Sequence, residues 1–369
     1  MTQGRFRVGI VGLQPDRSWA AVSHVPALRA LADDFEIVGV ANTSRASAEA
    51  AARECGLSRA FDNVAALIAS PDVDIVAVTV KVPHHHAIVS AAIEAGKHVY
   101  CEWPLGNGLD EAKDMASRAR GAGVRGVIGT QAIFAPEINY LRDLLADGYF
   151  GEVLSTTLVG TGMTWGPVVK QANAYTLDRA NGATMLTIPL GHTLAALVGV
   201  LGPVAELSAR TAVRRKSARN VDTGEAVSMT AEDQVLVAGT LQSGAPVAIH
   251  YRGGMAHGSG LSWEINGTEG DLRITGPGGH AQLVQLSLSG GRGNEIAMGQ
   301  IALPARYGDD LQDGPQVGNV RRLYAALASD LRAGTTLAPS FDDAVEIHRV
   351  IEAIDRAART GATVSPLSL

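Results

Sequence analysis

The sequence has little charge, few aromatic side chains and almost no cysteine. Charged residues make up 18% of its 369 residues and aromatic residues 5%, and the formal net charge is −6. A weakly acidic chain, whose one basic cluster at residues 214–219 is short, has no field that attracts nucleic acid or anionic lipid. Its two cysteines, Cys55 and Cys101, have neither the density of a secreted disulfide scaffold nor the spacing of zinc ligands. We expect a reduced, cytoplasmic environment and no nucleic acid or membrane partner.

Long apolar runs are also missing. No run approaches the roughly 18 residues of a membrane span, and residues 1–7 have no apolar leader core. Glycine is abundant, at 42 residues, so the backbone turns tightly or approaches something closely at many positions. With 46% hydrophobic residues the chain can bury a large core, which excludes a disordered polymer.

Strand and helix patterns alternate over the first third of the chain. Residues 75–80 are rich in β-formers on both faces, which is typical of a parallel strand covered by helices on two sides. The alternation predicts an α/β domain at residues 1–128, with a Rossmann-type doubly wound parallel sheet that binds a dinucleotide.

After residue 129 the strand patterns become longer and Gly-containing turns join them. Helical patterns interrupt them at about 182–200, 320–332 and 341–359. These patterns predict an α+β domain at residues 129–369, with a large, mainly antiparallel open sheet for substrate binding and oligomerisation.

The first strand leads into a turn that contains Gly9 and Gly12. At such a turn a Cβ would keep the backbone away from a pyrophosphate, which lies over the N-terminus of the next helix. The third glycine of the GxGxxG pattern is absent. The turn alone therefore fits a dinucleotide site and an ordinary strand-to-helix connection equally well.

Asn42 ends the second strand, where an acidic residue would bind the adenosine ribose of NAD. An amide can hydrogen-bond a hydroxyl but does not repel a 2′-phosphate, and Arg45 could bind one. We therefore expect NAD and do not exclude NADP, with Asn42, Thr43 and Arg45 at the adenosine end. A helix N-cap and a surface cation would explain the same residues.

Two later segments, Val-Thr-Val-Lys-Val-Pro-His-His-His and Ala-Gly-Lys-His-Val-Tyr-Cys-Glu-Trp-Pro, carry a family resemblance. They resemble the glucose-fructose oxidoreductase, inositol dehydrogenase and MocA (Gfo/Idh/MocA) family, which has a Pro-Asn-x-x-His element and a Glu-Lys-Pro element there. The resemblance implies that His85 and Glu102 belong to the cofactor site. Trp103 stands where the family has a lysine that positions the substrate hydroxyl, and offers only one indole donor.

A second departure is Ile188, which stands where the family has an aspartate one turn before its histidine, here His192. Both departures, together with Gly12-Leu13 and Trp19-Ala20, resemble the branch of the yeast galactose-regulon repressor, over most of the chain. The resemblance implies a Rossmann domain, a homo-oligomer and either a sugar-active enzyme or a regulator. Further residues expected at the cofactor are Leu13, Trp19, Val80, Trp103 and Gln131.

His192 is the leading candidate for the catalytic base, because an imidazole with a pKa near 6.5 suits proton transfer at neutral pH. The alternative is a buried core histidine, since Leu190 and Leu194 flank it. Lys81 follows an apolar strand at the edge where open α/β sheets bind ligands, and could replace the missing lysine or hold an anionic group. A snorkelling surface lysine is the alternative.

The segment after the second domain's first strand combines aromatic, amide and charged side chains, as a polyhydroxylated ring requires. We predict a substrate wall there, although ordinary loop polarity explains any one of its members. The members are Trp165, Lys170, Tyr175, Asp178, Arg179 and Asn181. The consecutive residues His84, His85 and His86 cannot all point at one ion, so no metal site is expected.

The sequence as a whole predicts an NAD(P)-dependent oxidoreductase that transfers a hydride at a ring hydroxyl of a sugar or glycoside. An acidic sugar is compatible with Lys81 and Lys170. The reaction could be redox-neutral, with oxidation, elimination and re-reduction making an NAD-dependent glycosidase. The alternative from another class is a catalytically silent dinucleotide-binding regulator that acts through a protein partner.

Overall fold

A computed structural model describes residues 4–255, 257–308 and 313–369. Residues 1–3, which belong to the segment predicted to lack a leader core, lie outside the described part. The chain forms two compact units, the first of Met1–Gln131 with Gln316–Val345, and the second of Ala132–Pro315 with Glu346–Leu369.

The first unit contains five strands and five helices before residue 131. They are β1 (Phe6–Val11), α1 (Val25–Ala30), β2 (Phe35–Ala41), α2 (Arg45–Glu54), α3 (Val64–Ala69), β3 (Ile75–Val78), α4 (His85–Glu94), β4 (His98–Glu102), α5 (Leu109–Ala122) and β5 (Gly126–Gly129). A π-helical turn, Ala20–His24, leads directly into α1.

The remaining elements are mostly strands. They are α6 (Pro136–Ala146), β6 (Val153–Gly162), β7 (Val168–Val169), α7 (Gly191–Leu201), β8 (Val204–Ala212), β9 (Ser217–Asn220), β10 (Ala226–Ser228), β11 (Gln234–Leu241), β12 (Pro246–Gly253), β13 (Leu261–Gly267), β14 (Gly270–Gly276), β15 (Ser287–Arg292), β16 (Gly299–Ile301), α8 (Gly314–Ala333) and α9 (Phe341–Thr360).

The first unit is built on a five-stranded parallel sheet of order β2-β1-β3-β4-β5. All four residues of β3 are fully buried, as expected for a parallel strand covered on both faces. Neighbours β1 and β3 connect onward in opposite directions across the sheet, and such switch points bind ligands at the carboxyl ends of the strands. The predicted doubly wound sheet is confirmed.

The second unit contains an eight-stranded sheet of order β16-β15-β14-β13-β6-β12-β11-β8. Only β6 and β12 pair in parallel within it, so the predicted mainly antiparallel sheet is confirmed. Tyr251 on β12 pairs with Gly160 on β6, and a Cβ at Gly160 would come within 2.2 Å of the Tyr251 ring. Glycine at this position lets the tyrosine lie flat across the neighbouring strand.

The two units differ from the predicted division into residues 1–128 and 129–369. The segment Gln316–Val345 packs with the first unit, because α8 buries Leu323, Tyr324 and Leu327 there. Helical periodicity correctly indicated that α8 has an apolar face, but carries no information about which sheet covers that face.

The predicted helix at 182–200 begins later than expected. Its first regular turn is the π-helical segment Leu186–Leu190, which contains Pro189, and α7 follows at Gly191. Proline lacks an N–H and cannot continue the α-helical ladder, which accounts for the irregular start.

Three histidines of the second unit, His192, His280 and His348, are almost completely buried. Burial lowers the pKa of His192 to about 3, of His280 to about 4 and of His348 to about 3. The unfolded chain binds protons at a pKa near 6.5. Below that pH the unfolded state binds more protons than the folded state, so acid weakens the fold.

No described helix has the length and apolarity of a membrane span.

Acidification from pH 7 to pH 5 should therefore lower the free energy of unfolding by about 2 kcal/mol for each of these histidines. The variant His348→Leu removes one of them, and its stability should fall by about 2 kcal/mol less than that of the wild type over the same interval. Urea unfolding at the two pH values measures both. An equal loss in variant and wild type would contradict the prediction.

Candidate functional site

The turn after β1 is the first part of the candidate site. Gly12 has a φ of +99°, and a Cβ there would come within 2.7 Å of the Val80 side chain. Only glycine fits this conformation and this approach. A Cβ at Gly9 would instead meet Leu67 of α3 at 2.8 Å, so close helix packing is the reason for that glycine in the structure.

Asn42 holds this turn. Its Oδ1 accepts a hydrogen bond from the backbone N–H of Leu13 at 2.9 Å, and its Nδ2 donates to the carbonyls of Leu13 at 2.8 Å and Ser47 at 3.1 Å. Both amide hydrogens are thereby used, and acceptor capacity for a ribose hydroxyl is left only on Oδ1. Direct contact of Asn42 with the ribose stays a prediction.

Thr43 and Arg45 lie exposed beyond it. Ser44 caps α2 by accepting from the N–H of Ser47, as the N-cap alternative predicted for this segment. Arg45 pairs with Glu49 at 2.7 Å and with Asp62. A 2′-phosphate would have to compete with two carboxylates for this guanidinium.

His85 is buried, and both ring nitrogens face backbone carbonyls. Nδ1 lies 2.9 Å from the Pro104 oxygen and Nε2 lies 3.0 Å from the Val80 oxygen. Burial lowers the pKa of His85, and the carbonyls oppose that shift. The family histidine thus joins the segments that follow β3 and β4, and its direct contact with a cofactor stays a prediction. Lys81, the next residue, is exposed.

Glu102, the last residue of β4, carries a carboxylate with several partners. Its Oε1 lies 2.9 Å from Nε2 of His24, and the Gln131 amide donates to Oε1 at 2.7 Å and to Oε2 at 2.8 Å. His24 in turn contacts the hydroxyl of Tyr324 on α8 at 2.8 Å. His24 and Tyr324 were not found by sequence reasoning, because nothing local marks a contact across 300 positions.

Two buried polar atoms near the carboxyl end of the sheet have no hydrogen-bond partner in the described part of the chain. They are the indole Nε1 of Trp19 and Oε1 of Gln131. Buried polar groups are normally paired, so an unused donor and an unused acceptor indicate a ligand with both kinds of group. Trp103, which stands where the family has its lysine, is 5% exposed and therefore almost completely buried.

In the second unit His192 stands on the first turn of α7 and is 3% exposed. Its Nδ1 is enclosed and has no partner among the described residues. Desolvation, with a smaller contribution from the charge on His280, lowers the pKa of His192 to about 3, so the ring is neutral at pH 7. The neighbouring Thr193 is fixed by the hydroxyl of Tyr251 at 2.7 Å.

His280 is a further candidate that sequence reasoning missed. Its Nε2 accepts from the N–H of Met163 at 3.4 Å, and its ring stacks with that of Trp165, the centroids 6.3 Å apart. If the ring is neutral, the proton is on Nδ1, which is enclosed and has no partner in the described residues. The sequence around His280 carries no motif, and its contact with Trp165 joins residues that are far apart in the chain.

Most side chains of the predicted substrate wall form hydrogen bonds with other groups of the protein. Trp165 is 1% exposed and its indole donates to the Thr176 carbonyl at 2.9 Å. The Asn181 amide donates to the Tyr175 carbonyl at 2.8 Å. Asp178 accepts from the N–H of Ala180 and from Thr230. These hydrogen bonds shape the loop, and contact of these residues with a sugar stays a prediction. Lys170 remains exposed.

Arg179 has a structural partner as well, because it pairs with Asp355 at 2.6 Å and with Glu232 at 3.4 Å. Burial raises the pKa of Glu232, whose carboxyl accepts from the Thr184 hydroxyl at 2.5 Å and from the N–H of Leu186 at 3.3 Å. This cluster anchors the segment that leads into His192, and Arg179 supports it rather than a substrate. No group of three or more potential metal ligands occurs among the described residues.

The five-stranded sheet with its glycine turn defines a class, the oxidoreductases with an NAD-binding Rossmann domain. Residues 6–131 match the family model of that description, and residues 136–276 match the model of the Gal80p C-terminal domain. The chain belongs to the Gfo/Idh/MocA oxidoreductase family, in the branch that resembles Gal80. The predicted family and the predicted NAD cofactor are confirmed.

Relatives of both functional kinds are similar along the whole chain. Dehydrogenase aclE of Aspergillus oryzae is 31% identical over 98% of this chain and 98% of its own. A super-repressor mutant of Gal80p from Saccharomyces cerevisiae superposes with a TM-score of 0.89 at 25% identity over 98% of both chains. Levoglucosan dehydrogenase in complex with NADH and levoglucosan shares the fold, with a TM-score of 0.82 at 20% identity over 98% of this chain and 99% of its own.

Replacement of Asn42 by alanine should weaken NADH binding about tenfold, because the backbone of Leu13 loses its amide partner and the turn relaxes. Fluorescence titration with NADH measures the effect. Ser117→Ala, which changes an exposed residue of α5 in the same unit, is the control and should bind as the wild type does. Equal affinities for the two variants would show that Asn42 does not hold the turn.

Proposed function

We propose that the protein is an NAD(P)-dependent oxidoreductase that oxidises or reduces a ring hydroxyl of a sugar or glycoside. The observation that carries the proposal is His192, a neutral, enclosed imidazole with an unused nitrogen, in a chain whose first unit is an NAD-binding domain. The sugar-active neighbour of known fold supports the substrate class.

In this proposal His192 accepts the hydroxyl proton while the carbinol hydrogen leaves as a hydride. Bound NAD supplies the hydride acceptor, and in the reduced form the donor. Because the pKa of His192 is about 3, the ring is unprotonated and able to accept a proton throughout the physiological range. It is a weaker base than the imidazole with a pKa near 6.5 that the sequence predicts, because burial disfavours its charged form.

The residues proposed to hold NAD lie at the carboxyl ends of the parallel strands. Gly12 and Leu13 form the turn for the pyrophosphate, the Trp19 indole offers its unused donor, and Glu102 with Gln131 offers acceptors. Val80 borders Gly12, where its side chain limits the turn. Lys81, on the same edge, is proposed to hold an anionic or hydroxyl group of the substrate, in place of the family lysine.

A redox-neutral course is the finer form of the proposal. Oxidation of a ring hydroxyl acidifies the adjacent C–H, elimination then expels the glycosidic group, and the hydride returns after water has added. Exposed Lys81 and Lys170 are compatible with an acidic sugar. A panel of glycosides, assayed for cofactor reduction and for free sugar, separates the two courses, since only the hydrolase releases sugar without net reduction.

The second candidate function is a dinucleotide-dependent regulator that acts by protein contact. It is favoured by the match of residues 136–276 to the Gal80p C-terminal domain and by Trp103 and Ile188, which replace the family's lysine and aspartate. NADH binding without turnover of any sugar or glycoside would support this function instead.

Replacement of His192 by alanine should reduce turnover at least about a hundredfold, since general bases contribute on that scale, and should leave NADH affinity unchanged. Steady-state kinetics and NADH titration measure the two quantities. His348→Ala is the matched control, because His348 is a buried neutral histidine of the same unit that is not part of the site. Full activity of His192→Ala would remove His192 from the mechanism.

The low pKa of His192 also predicts the pH profile. The ring stays unprotonated above about pH 4, so kcat/KM should show no loss from pH 8 to pH 5.5 that depends on this residue. An inflection between pH 6 and pH 7 that disappears in the variant His192→Asn would contradict the prediction.

A further inference from the structure

The carboxylate of Glu102 lies at the end of a hydrogen-bonded chain that begins at the buried hydroxyl of Tyr324. We infer that His24 and Tyr324 are positioning residues, which hold the Glu102 carboxylate in place for the hydroxyl donors of a dinucleotide ribose. The inference rests on the proposed function in one respect, namely that Glu102 contacts the cofactor.

The hydrogen positions follow from the partners. A carboxylate only accepts, so Nε2 of His24 must carry the hydrogen that it shares with Glu102 at 2.9 Å. In the neutral ring Nδ1 is then an acceptor, and the hydroxyl of Tyr324 donates to it at 2.8 Å. Tyr324 thereby selects the tautomer that points a donor at Glu102.

The chain is enclosed except at its end. His24 and Tyr324 are 0% exposed, whereas the Glu102 side chain retains 13% exposure. A buried carboxylate is costly unless hydrogen bonds satisfy it. His24 and Gln131 provide these bonds, and the exposed remainder of the carboxylate is at the carboxyl end of β4, where such sheets bind ligands.

The carboxylate also has capacity left. His24 and Gln131 both donate to Oε1, while Oε2 accepts from Gln131 only. An ionised carboxylate offers about four lone-pair sites, so Oε2 can accept from a hydroxyl of a ligand. The unused Oε1 of Gln131 is a second acceptor on the same pair of side chains. Two adjacent acceptors suit the two hydroxyl donors of a ribose.

Aromatic packing keeps the chain rigid. Tyr100 and Tyr324 stack with their centroids 4.8 Å apart, and the His24 ring meets Tyr100 edge-on at 5.0 Å. The imidazole therefore cannot turn away from Glu102 without displacing two buried rings. A ligand that binds Glu102 meets a carboxylate whose orientation is already fixed, which lowers the ordering cost of binding.

The test measures NADH affinity of the full chain by fluorescence titration for four variants. His24→Leu removes the donor and should raise Kd about tenfold or more, as the loss of a charge-assisted hydrogen bond predicts. His24→Gln retains a donor near Nε2 and should stay within about threefold of the wild type. Tyr324→Phe keeps the ring but not the hydroxyl, and should lie between the two.

Phe35→Leu is the matched control, since Phe35 is similarly buried and packs against the Tyr324 ring, with the centroids 5.4 Å apart, but takes no part in the hydrogen-bonded chain. It should bind NADH as the wild type does. Thermal unfolding without nucleotide identifies a variant that has merely lost its fold, and in that case His24→Gln and Tyr324→Phe decide the question.

Wild-type affinity in both His24→Leu and Tyr324→Phe would overturn the inference, as would equal losses in His24→Leu and His24→Gln. Absence of NADH binding by the wild type would instead contradict the cofactor role of Glu102 itself. The two failures are therefore distinguishable.

Discussion

The need of the buried Glu102 carboxylate for hydrogen-bond partners ties the first unit together. It contacts His24 on the π-helical turn that follows β1 and accepts from Gln131, which follows β5. His24 in turn contacts Tyr324 on α8. These segments are far apart in sequence, so the Glu102 carboxylate holds them together at the carboxyl edge of the sheet. The glycine turn at Gly12 and the Asn42 amide shape the same edge from the other side of β1.

In the second unit the buried polar groups of the candidate site are neutral imidazoles and not a hydrogen-bonded carboxylate. Burial lowers the pKa of both His192 and His280, so the two rings are neutral at pH 7. Ile188 stands where the family has an aspartate, and this apolar replacement accords with the low pKa of the histidine one turn later. The Glu232 carboxyl, which contacts Arg179, holds the segment that leads into α7 and not its histidine.

Periodicity predicted the parallel strands and the mainly antiparallel sheet, because it reports burial and turns directly. The resemblance of two motif segments to a known family predicted the family and, with the glycine turn, the cofactor. Sequence patterns could not reveal the internal partners of Trp165, Asp178, Arg179 and Asn181, because a polar side chain in a loop looks the same whether its partner is a ligand or a neighbouring group of the chain. They missed His24 and His280 for a related reason. The residues that these histidines contact lie up to 300 positions away in the sequence.

The return of α8 to the first unit has a consequence for synthesis. The chain leaves that unit at Gln131 and re-enters it at Gln316, so Tyr324 emerges from the ribosome long after the parallel sheet is complete. Domains generally fold as units during synthesis, in order from the N-terminus. Until residues 132–315 have been made, His24 lacks the hydroxyl of Tyr324. The carboxyl edge of the parallel sheet is therefore completed late, although its strands are translated first.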